Sequence, residues 1–293
     1  MRDYCITTDS CSDLPQEWIE KLSTTIIPIY YSFGDTVYGD ELNLTPAEFY
    51  ERMKNEELPL SQGNNPAVVE EKFRAILDQG KDIIHIAFSS ALSSSYQTVC
   101  MVVAELLEEY PDAKIAVVDS KNVSISQSLM VIKANQLRDT GVSFEEVVDT
   151  LESFKDHLNV QFTVDDLFHL HRGGRVSKTV AFVGSALNLK PFFYVNMDGG
   201  LSVDGNTRGR KKALRTLVDR MKESLAENTD YSLPAGIAQG NCYEDALAVA
   251  EMIRQETPFT EVIIGDLNPS IGTHSGPNTL GVFYYGRKKA EAK

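Results

Sequence analysis

At 293 residues the chain is long for a single hydrophobic core, which predicts two domains. Its 42% hydrophobic and 24% charged residues are those of an ordinary globular protein, and no apolar run reaches membrane-spanning length, so stable membrane insertion is not expected. The 28 basic residues face 42 acidic ones, and a net charge of −14 argues against a general nucleic-acid binder.

No charged-then-apolar leader precedes Asp9, so a cytoplasmic location is expected rather than export. Cys5, Cys11, Cys100 and Cys242 are dispersed, with no CxxC and no histidine at metal spacing. They fit reduced thiols better than staples or zinc ligands.

The first half alternates strands and helices. Tyr4 to Thr8 is a short strand ending at Asp9-Ser10, and Pro15 suits the first turn of a helix. Thr25 to Phe33 reads as a second strand. Thr45-Pro46-Ala47-Glu48 is a capping box with proline at the first helical position, and Asn65-Pro66 opens another helix that runs towards Gln79. Ile83 to Phe88 is an apolar run of the kind buried in a parallel sheet, and Leu92 to Leu107 has helical period. Lys114 to Val118 is a strand ending in Asp119-Ser120, and the helix after it stops at Gly141. This alternation predicts a parallel sheet with helices on both faces.

Between Phe88 and Tyr96 stand Ser89, Ser90, Ser93, Ser94 and Ser95, where a strand hands over to a helix. Open α/β sheets bind ligands at that edge, and helix-start amides favour a negative group there. A serine N-cap with polar filler is the plain alternative. With Asp9-Ser10 and Asp119-Ser120, three polar strand ends lie along one edge and suggest a cleft.

The second half is different. Ser143-Phe144-Glu145-Glu146 caps a helix leading out of the first domain, and Asn159 to Val164 reads as the crossing. Asp165 to His171 is a short helix ended by Gly173-Gly174, and Ser177 to Leu187 reads as an apolar helix packed inside. Lys190 to Met197 and Leu201 to Val203 flank Asp198-Gly199-Gly200, a hairpin signal. Arg208 to Glu227 is an amphipathic basic helix. Ala235 to Gln239, a helix from Tyr243 and the strand Glu261 to Asp266 complete an α+β domain. Asp165 to Arg220 holds ten Lys/Arg against five Asp, a basic island that is either a docking surface for something anionic or a solvated face.

There is no GxSxG elbow, no GxxxxGK[ST] loop, no GxGxxG and no HExxH. His169 and His171 lie two apart and make a poor metal pair, and His85 within an apolar strand reads as a core histidine. His274, in Ile271-Gly272-Thr273-His274-Ser275-Gly276-Pro277, has glycines that allow close approach and hydroxyls that fix a ring, as would any glycine-rich turn.

Thr8-Asp9-Ser10, the Leu92-Ser93 turn, Val118-Asp119-Ser120 and Arg172-Gly173-Gly174-Arg175-Val176-Ser177 follow one another in a distinctive order. Asn188-Leu189-Lys190-Pro191, Asp198-Gly199, Arg208-Gly209-Arg210-Lys211-Lys212-Ala213 and the Ile271 to Gly281 segment continue it. Over nearly its whole length the chain thereby resembles the DegV family of bacterial fatty-acid-binding proteins. The resemblance implies an N-terminal α/β domain, residues 1–160, that carries a carboxylate-binding edge. It implies a smaller α+β domain, residues 161–293, that closes over the acyl chain. The implied ligand is a long-chain fatty acid such as palmitate or oleate, with no cofactor and no metal. The implied partner is an ATP-dependent fatty acid kinase, to which the protein presents the carboxyl group, so that it is a lipid-binding protein rather than an enzyme.

The family turn Thr-Ser-Gln-Pro-Ser-Pro matches Ser61-Gln62-Gly63-Asn64-Asn65-Pro66, keeping a hydroxyl at Ser61, and Leu-Ser-Gly-Thr matches Leu92-Ser93-Ser94-Ser95. The resemblance therefore assigns the carboxylate to Ser61, Ser93, Ser94 and His274, and partner docking to Arg172 and Arg175. Two rivals remain: an acyl hydrolase with Ser93 as nucleophile and His274 as base, and a regulatory or DNA-binding protein using the 165–220 basic region, which the overall charge disfavours.

Overall fold

The computed structural model describes residues 2–165, 167–176, 189–227 and 229–291. The expected helix from Ser177 to Leu187 lies outside them, as does Asn188.

In the first half the strands are β1 (Tyr4–Asp9), β2 (Thr25–Ile27), β3 (Tyr31–Phe33), β4 (Thr36–Tyr38), β5 (Leu60–Ser61), β6 (Asp82–Ala87) and β7 (Ile115–Asp119). The helices are α1 (Gln16–Leu22), α2 (Pro46–Lys54), α3 (Pro66–Leu77), α4 (Ser95–Glu109), α5 (Ile125–Asp139) and α6 (Phe144–Phe154). Strands β2, β1, β6 and β7 form a four-stranded, wholly parallel sheet in that order. One face is covered by α3 and α4, whose Phe73, Val99 and Leu106 pack with Ile83; the other face turns Ile84 and Ile86 towards α5.

After α6 come β8 (Leu158–Thr163), α7 (Phe168–Arg172), β9 (Leu189–Val195), β10 (Leu201–Arg208) and α8 (Arg210–Ser224). Then follow β11 (Ala235–Gln239), α9 (Tyr243–Glu256), β12 (Val262–Asp266), α10 (Pro269–Ser275) and β13 (Leu280–Tyr285). The second sheet has six strands, ordered β10-β9-β8-β13-β11-β12, antiparallel except for the β11–β12 pair. Its outer face packs on α8 and α9 through Leu217, Val218, Val249 and Ile253.

Helix α5 lies between the two sheets and touches both. Its Ser126, Gln127, Ser128 and Leu129 are fully buried. Buried polar groups are costly unless bonded, and part of the α5 set is bonded, although Ser126 Oγ and Gln127 Oε1 have no partner among the described residues. Gln127 Nε2 donates to Thr8 Oγ1 at 2.8 Å and to Ile86 O at 3.0 Å, and Ser128 Oγ donates to Ser12 O at 2.6 Å.

Several expectations are corrected. The single strand expected over Thr25 to Phe33 is broken at Pro28: β2 joins the parallel sheet, while β3 pairs with β4 and β5 in a separate three-stranded antiparallel sheet. Asn159 to Val164, read as a crossing, forms most of β8 and continues the second sheet. Helix α4 begins at Ser95 rather than Leu92, because residues 89–94 form a bonded loop. His274 sits in the last turn of a short helix, α10, not in an open glycine-rich turn; Asn268 caps that helix and Pro269 starts it. Strand β13 had no counterpart in the sequence reading.

Candidate functional site

The polar strand ends predicted to form a cleft do lie side by side, since β1, β6 and β7 are adjacent and parallel. Their carboxylates are spent on bracing the chain. Asp9 accepts from Cys11 N at 3.0 Å and Phe88 N at 2.7 Å; burial outweighs these bonds and pushes its carboxyl up to about 6. Asp119 accepts from Ser90 N at 3.1 Å and Ser90 Oγ at 2.6 Å. Ser89 Oγ donates to Gly199 O at 2.8 Å, which ties the tip of the β9–β10 hairpin to the same loop. The serine loop is thus fixed from three sides, and Ser93 stands at its end.

Ser93 Oγ donates to Ser95 Oγ at 2.9 Å and accepts from Ser95 N at 3.2 Å. Opposite it, β5 delivers Ser61, held in register by Tyr31 of β3. The following turn departs from the family pattern, but its asparagines are structural: Asn64 Nδ2 donates to Pro28 O, and Asn65 caps α3 by accepting from Ala67 N. A Cβ on Gly63 would lie 3.6 Å from Ser95 Oγ and 3.8 Å from Ser94 Oγ, so the two segments face each other closely.

The third contributor is α10. Its start is anchored to the first half of the chain by Asp13, which accepts from Asn268 N at 2.8 Å and from Ser124 Oγ. Its His274 Nε2 lies 2.7 Å from Ser61 Oγ. Desolvation, reinforced by the charges of Arg175 and Arg172, pushes the imidazole down to about 4, so it is neutral at physiological pH. Nδ1 is buried and has no hydrogen-bond partner among the described residues. A bare ring nitrogen tolerates that environment better than an orphaned N–H, which assigns the proton to Nε2. His274 then donates to Ser61 Oγ, and the Ser61 hydroxyl proton is left to donate elsewhere.

Ser61, Ser93, Ser94 and His274 all line one cavity of about 200 Å³, together with Arg175. The rest of its wall is largely apolar: Ile29, Phe88 and Val123 from the first half; Val160, Phe162, Leu201, Leu267 and Phe283 from the second. The cavity therefore lies between the two sheets, with hydroxyls and one imidazole gathered on an otherwise greasy surface. Such a chamber suits a long apolar molecule that ends in a hydrogen-bond acceptor.

Arg172 and Arg175 are engaged within the protein. Arg172 Nη2 donates to Pro59 O at 2.8 Å and Thr273 O at 3.2 Å, and Arg175 donates through Nε and Nη2 to Leu92 O at 3.2 and 3.0 Å. Much of the basic island also faces its own acids. Lys190 pairs with Asp165 at 2.7 Å, Arg210 with Asp245 at 2.8 Å, Arg220 with Asp204 at 3.1 Å, and Arg215 with Asp219 and Glu256. The hydrolase pairing is not assembled: His274 bonds Ser61 rather than Ser93. Among the described residues no group of three or more His, Cys, Asp or Glu is placed to hold a metal ion, and no helix is long and apolar enough to cross a membrane.

Sequence reasoning missed the apolar wall. Val160 and Phe162 on β8, and Gly281 and Phe283 on β13, recur with period two, which was the available signal. It also missed Arg175 as a lining residue.

A family model described as an uncharacterised protein, DegV family, matches residues 4–287. A DegV domain-containing protein of Clostridium perfringens is 37% identical over 291 residues, which is 99% of each chain. Among solved structures, a fatty-acid-binding DegV family protein from Thermus thermophilus has a TM-score of 0.87 at 28% identity, covering 98% of this chain and 100% of its own. A stearic-acid-binding protein from Eubacterium ventriosum has a TM-score of 0.86 at 27% identity, covering 96% and 98%. With the family model spanning almost the whole sequence, the chain belongs to the DegV family.

Proposed function

We propose that this protein binds one long-chain fatty acid, such as palmitate or oleate, between its two sheets and presents the carboxyl group to a partner kinase for acyl-phosphate formation. The observation that carries the reading is the gathering of Ser93 and the Ser61–His274 pair on the wall of an apolar cavity. Residues 1–160 supply most of the carboxylate-binding edge, and residues 161–293 add His274 to it and close over the acyl chain. The protein works in the cytoplasm, in keeping with its four free cysteines.

Each buried methylene contributes about 0.8 kcal/mol, whereas one hydrogen bond adds about 1 kcal/mol net, or somewhat more to an ionised group. The tail therefore sets affinity. Ser61, Ser93, Ser94 and His274 set which end of the ligand meets the partner. Among the described residues no acidic group orients His274 Nδ1, which weighs against the hydrolase reading.

Arg172, which is only partly buried, is the proposed partner contact, with Arg175 behind it on the cavity wall. Charge complementarity mainly raises encounter rate and fixes orientation, and both effects weaken with salt. Arg172→Ala should therefore slow acyl-phosphate production in a coupled assay with a cognate kinase and ATP by more than its loss of bound fatty acid explains, since its bonds to Pro59 O and Thr273 O also brace the segments of Ser61 and His274. Ser93→Ala should instead lose about 1–3 kcal/mol of ligand affinity because a buried acceptor goes unpaired. With bound lipid quantified at low and high salt, wild-type turnover by Arg172→Ala under both conditions would move the docking surface elsewhere.

A further inference from the structure

The turn Arg172-Gly173-Gly174-Arg175 touches the three segments that supply Ser61, Ser93 and His274 to the cavity. Arg172 donates to Pro59 O, two residues before Ser61, and to Thr273 O, next to His274. Arg175 donates to Leu92 O, next to Ser93, and to Gly173 O within the turn. Between the two arginines, the face of Gly173 is pressed on the imidazole. A Cβ there would lie 1.9 Å from His274 Nδ1, 2.7 Å from Cε1 and 3.1 Å from Cγ.

We infer that Gly173 is the seat of the His274 ring, and a positioning residue for the ligand carboxylate. Its missing side chain leaves the space the ring occupies, and its backbone covers Nδ1, so that the His274–Ser61 bond runs in one direction only. This deepens the fatty-acid reading and rests on it. The requirement at Gly173 is for space and not for conformation: its φ of −76° and ψ of −5° are open to any residue. Gly174 is the reverse, with a φ of +70° and, among the described residues, nothing within 4 Å of an added Cβ. One glycine makes room for the ring, and its neighbour turns the chain.

The two roles separate experimentally. In ¹⁵N-histidine spectra of the unliganded wild type, His274 should show an unprotonated Nδ1 and a protonated Nε2, with the signal assigned by its absence in His274→Ala. Gly173→Ala should lose that pattern and weaken palmitate binding on the order of tenfold, about as much as His274→Ala. The Gly173→Ala/His274→Ala double variant should bind no worse than His274→Ala, because the added methyl then meets no ring. Gly174→Ala should lose stability but keep the tautomer.

Wild-type tautomer and affinity in Gly173→Ala would overturn the inference. So would a further loss in the double variant, or the same spectral change in Gly174→Ala. If Gly173→Ala does not fold, a folded double variant supports the seat and an unfolded one contradicts it. A wild type that binds no palmitate would defeat the functional reading, while the His274 pattern and its response to Gly173→Ala would still decide this one.

Discussion

A buried imidazole with no counter-charge holds its proton poorly, and His85 illustrates the cost. Its ring is fully buried, 5.5 Å from Phe73, with Nδ1 2.9 Å from Thr7 Oγ1 and Nε2 without a partner among the described residues. Desolvation pushes it down to about 3. The unfolded chain takes up this proton below about 6.5, the native chain only near the lower value, so stability falls with pH across that window by at most about 1.4 kcal/mol per unit. Asp9 works in the opposite sense, since its raised folded value adds stability on acidification, but it does so with or without the histidine. His85→Phe should therefore lose less stability than wild type between about pH 7.5 and pH 5, measured by urea denaturation. Equal losses in the two proteins would contradict this account. At this scale the sequence was most legible where chemistry is concentrated: Ser61, Ser93, Ser94 and His274 converge on one cavity. What it hid was which partner each takes, because the 2.7 Å Ser61–His274 bond joins residues 213 positions apart.

Helix starts marked by a capping box or an Asn-Pro step were legible where they were sought, whereas the uncapped start of α4 and the Asn268-Pro269 start of α10 were not. The capping boxes at Thr45 and Ser143 are both formed, as is the asparagine cap at Asn65. Strand assignments failed where the deciding contact is distant. Pro28 offers no N–H to a sheet, so the run from Thr25 divides between two sheets, a division its apolar pattern does not reveal. In β8, Asn159 and Gln161 alternate with Val160 and Phe162, a strand pattern that was passed over as a link. The β9–β10 hairpin was predicted from Asp198-Gly199-Gly200, but its docking was not. Gly199 has a φ of +86°, and a Cβ there would lie 2.4 Å from Ser89 Oγ and 3.0 Å from Lys121 Cα. Gly199→Ala should thus cost about 1–2 kcal/mol for backbone strain alone, and further stability from the clash. It should also loosen the serine loop, so bound fatty acid should exchange faster than from wild type. A thermal melt and a ligand-exchange rate both matching wild type would show that the hairpin tip does not brace Ser93.

For the whole molecule, a chain of net charge −14 encloses a largely apolar cavity with an arginine, Arg175, on its wall. Helix α5 and the two sheets form continuous apolar layers, and the cavity opens between walls contributed by both halves of the chain. The basic island, prominent in the sequence, is in good part neutralised by Asp165, Asp204, Asp219, Asp245 and Glu256. Net charge along a segment cannot reveal such pairing, since Asp245 and Glu256 lie outside it. The most direct test of the central claim is native mass spectrometry of the purified protein, before and after organic extraction, and again after adding palmitate or oleate. The account predicts a mass increment of one fatty acid per chain, removed by extraction and restored by the added lipid. Only apo protein at every step, with no uptake of either fatty acid, would contradict it.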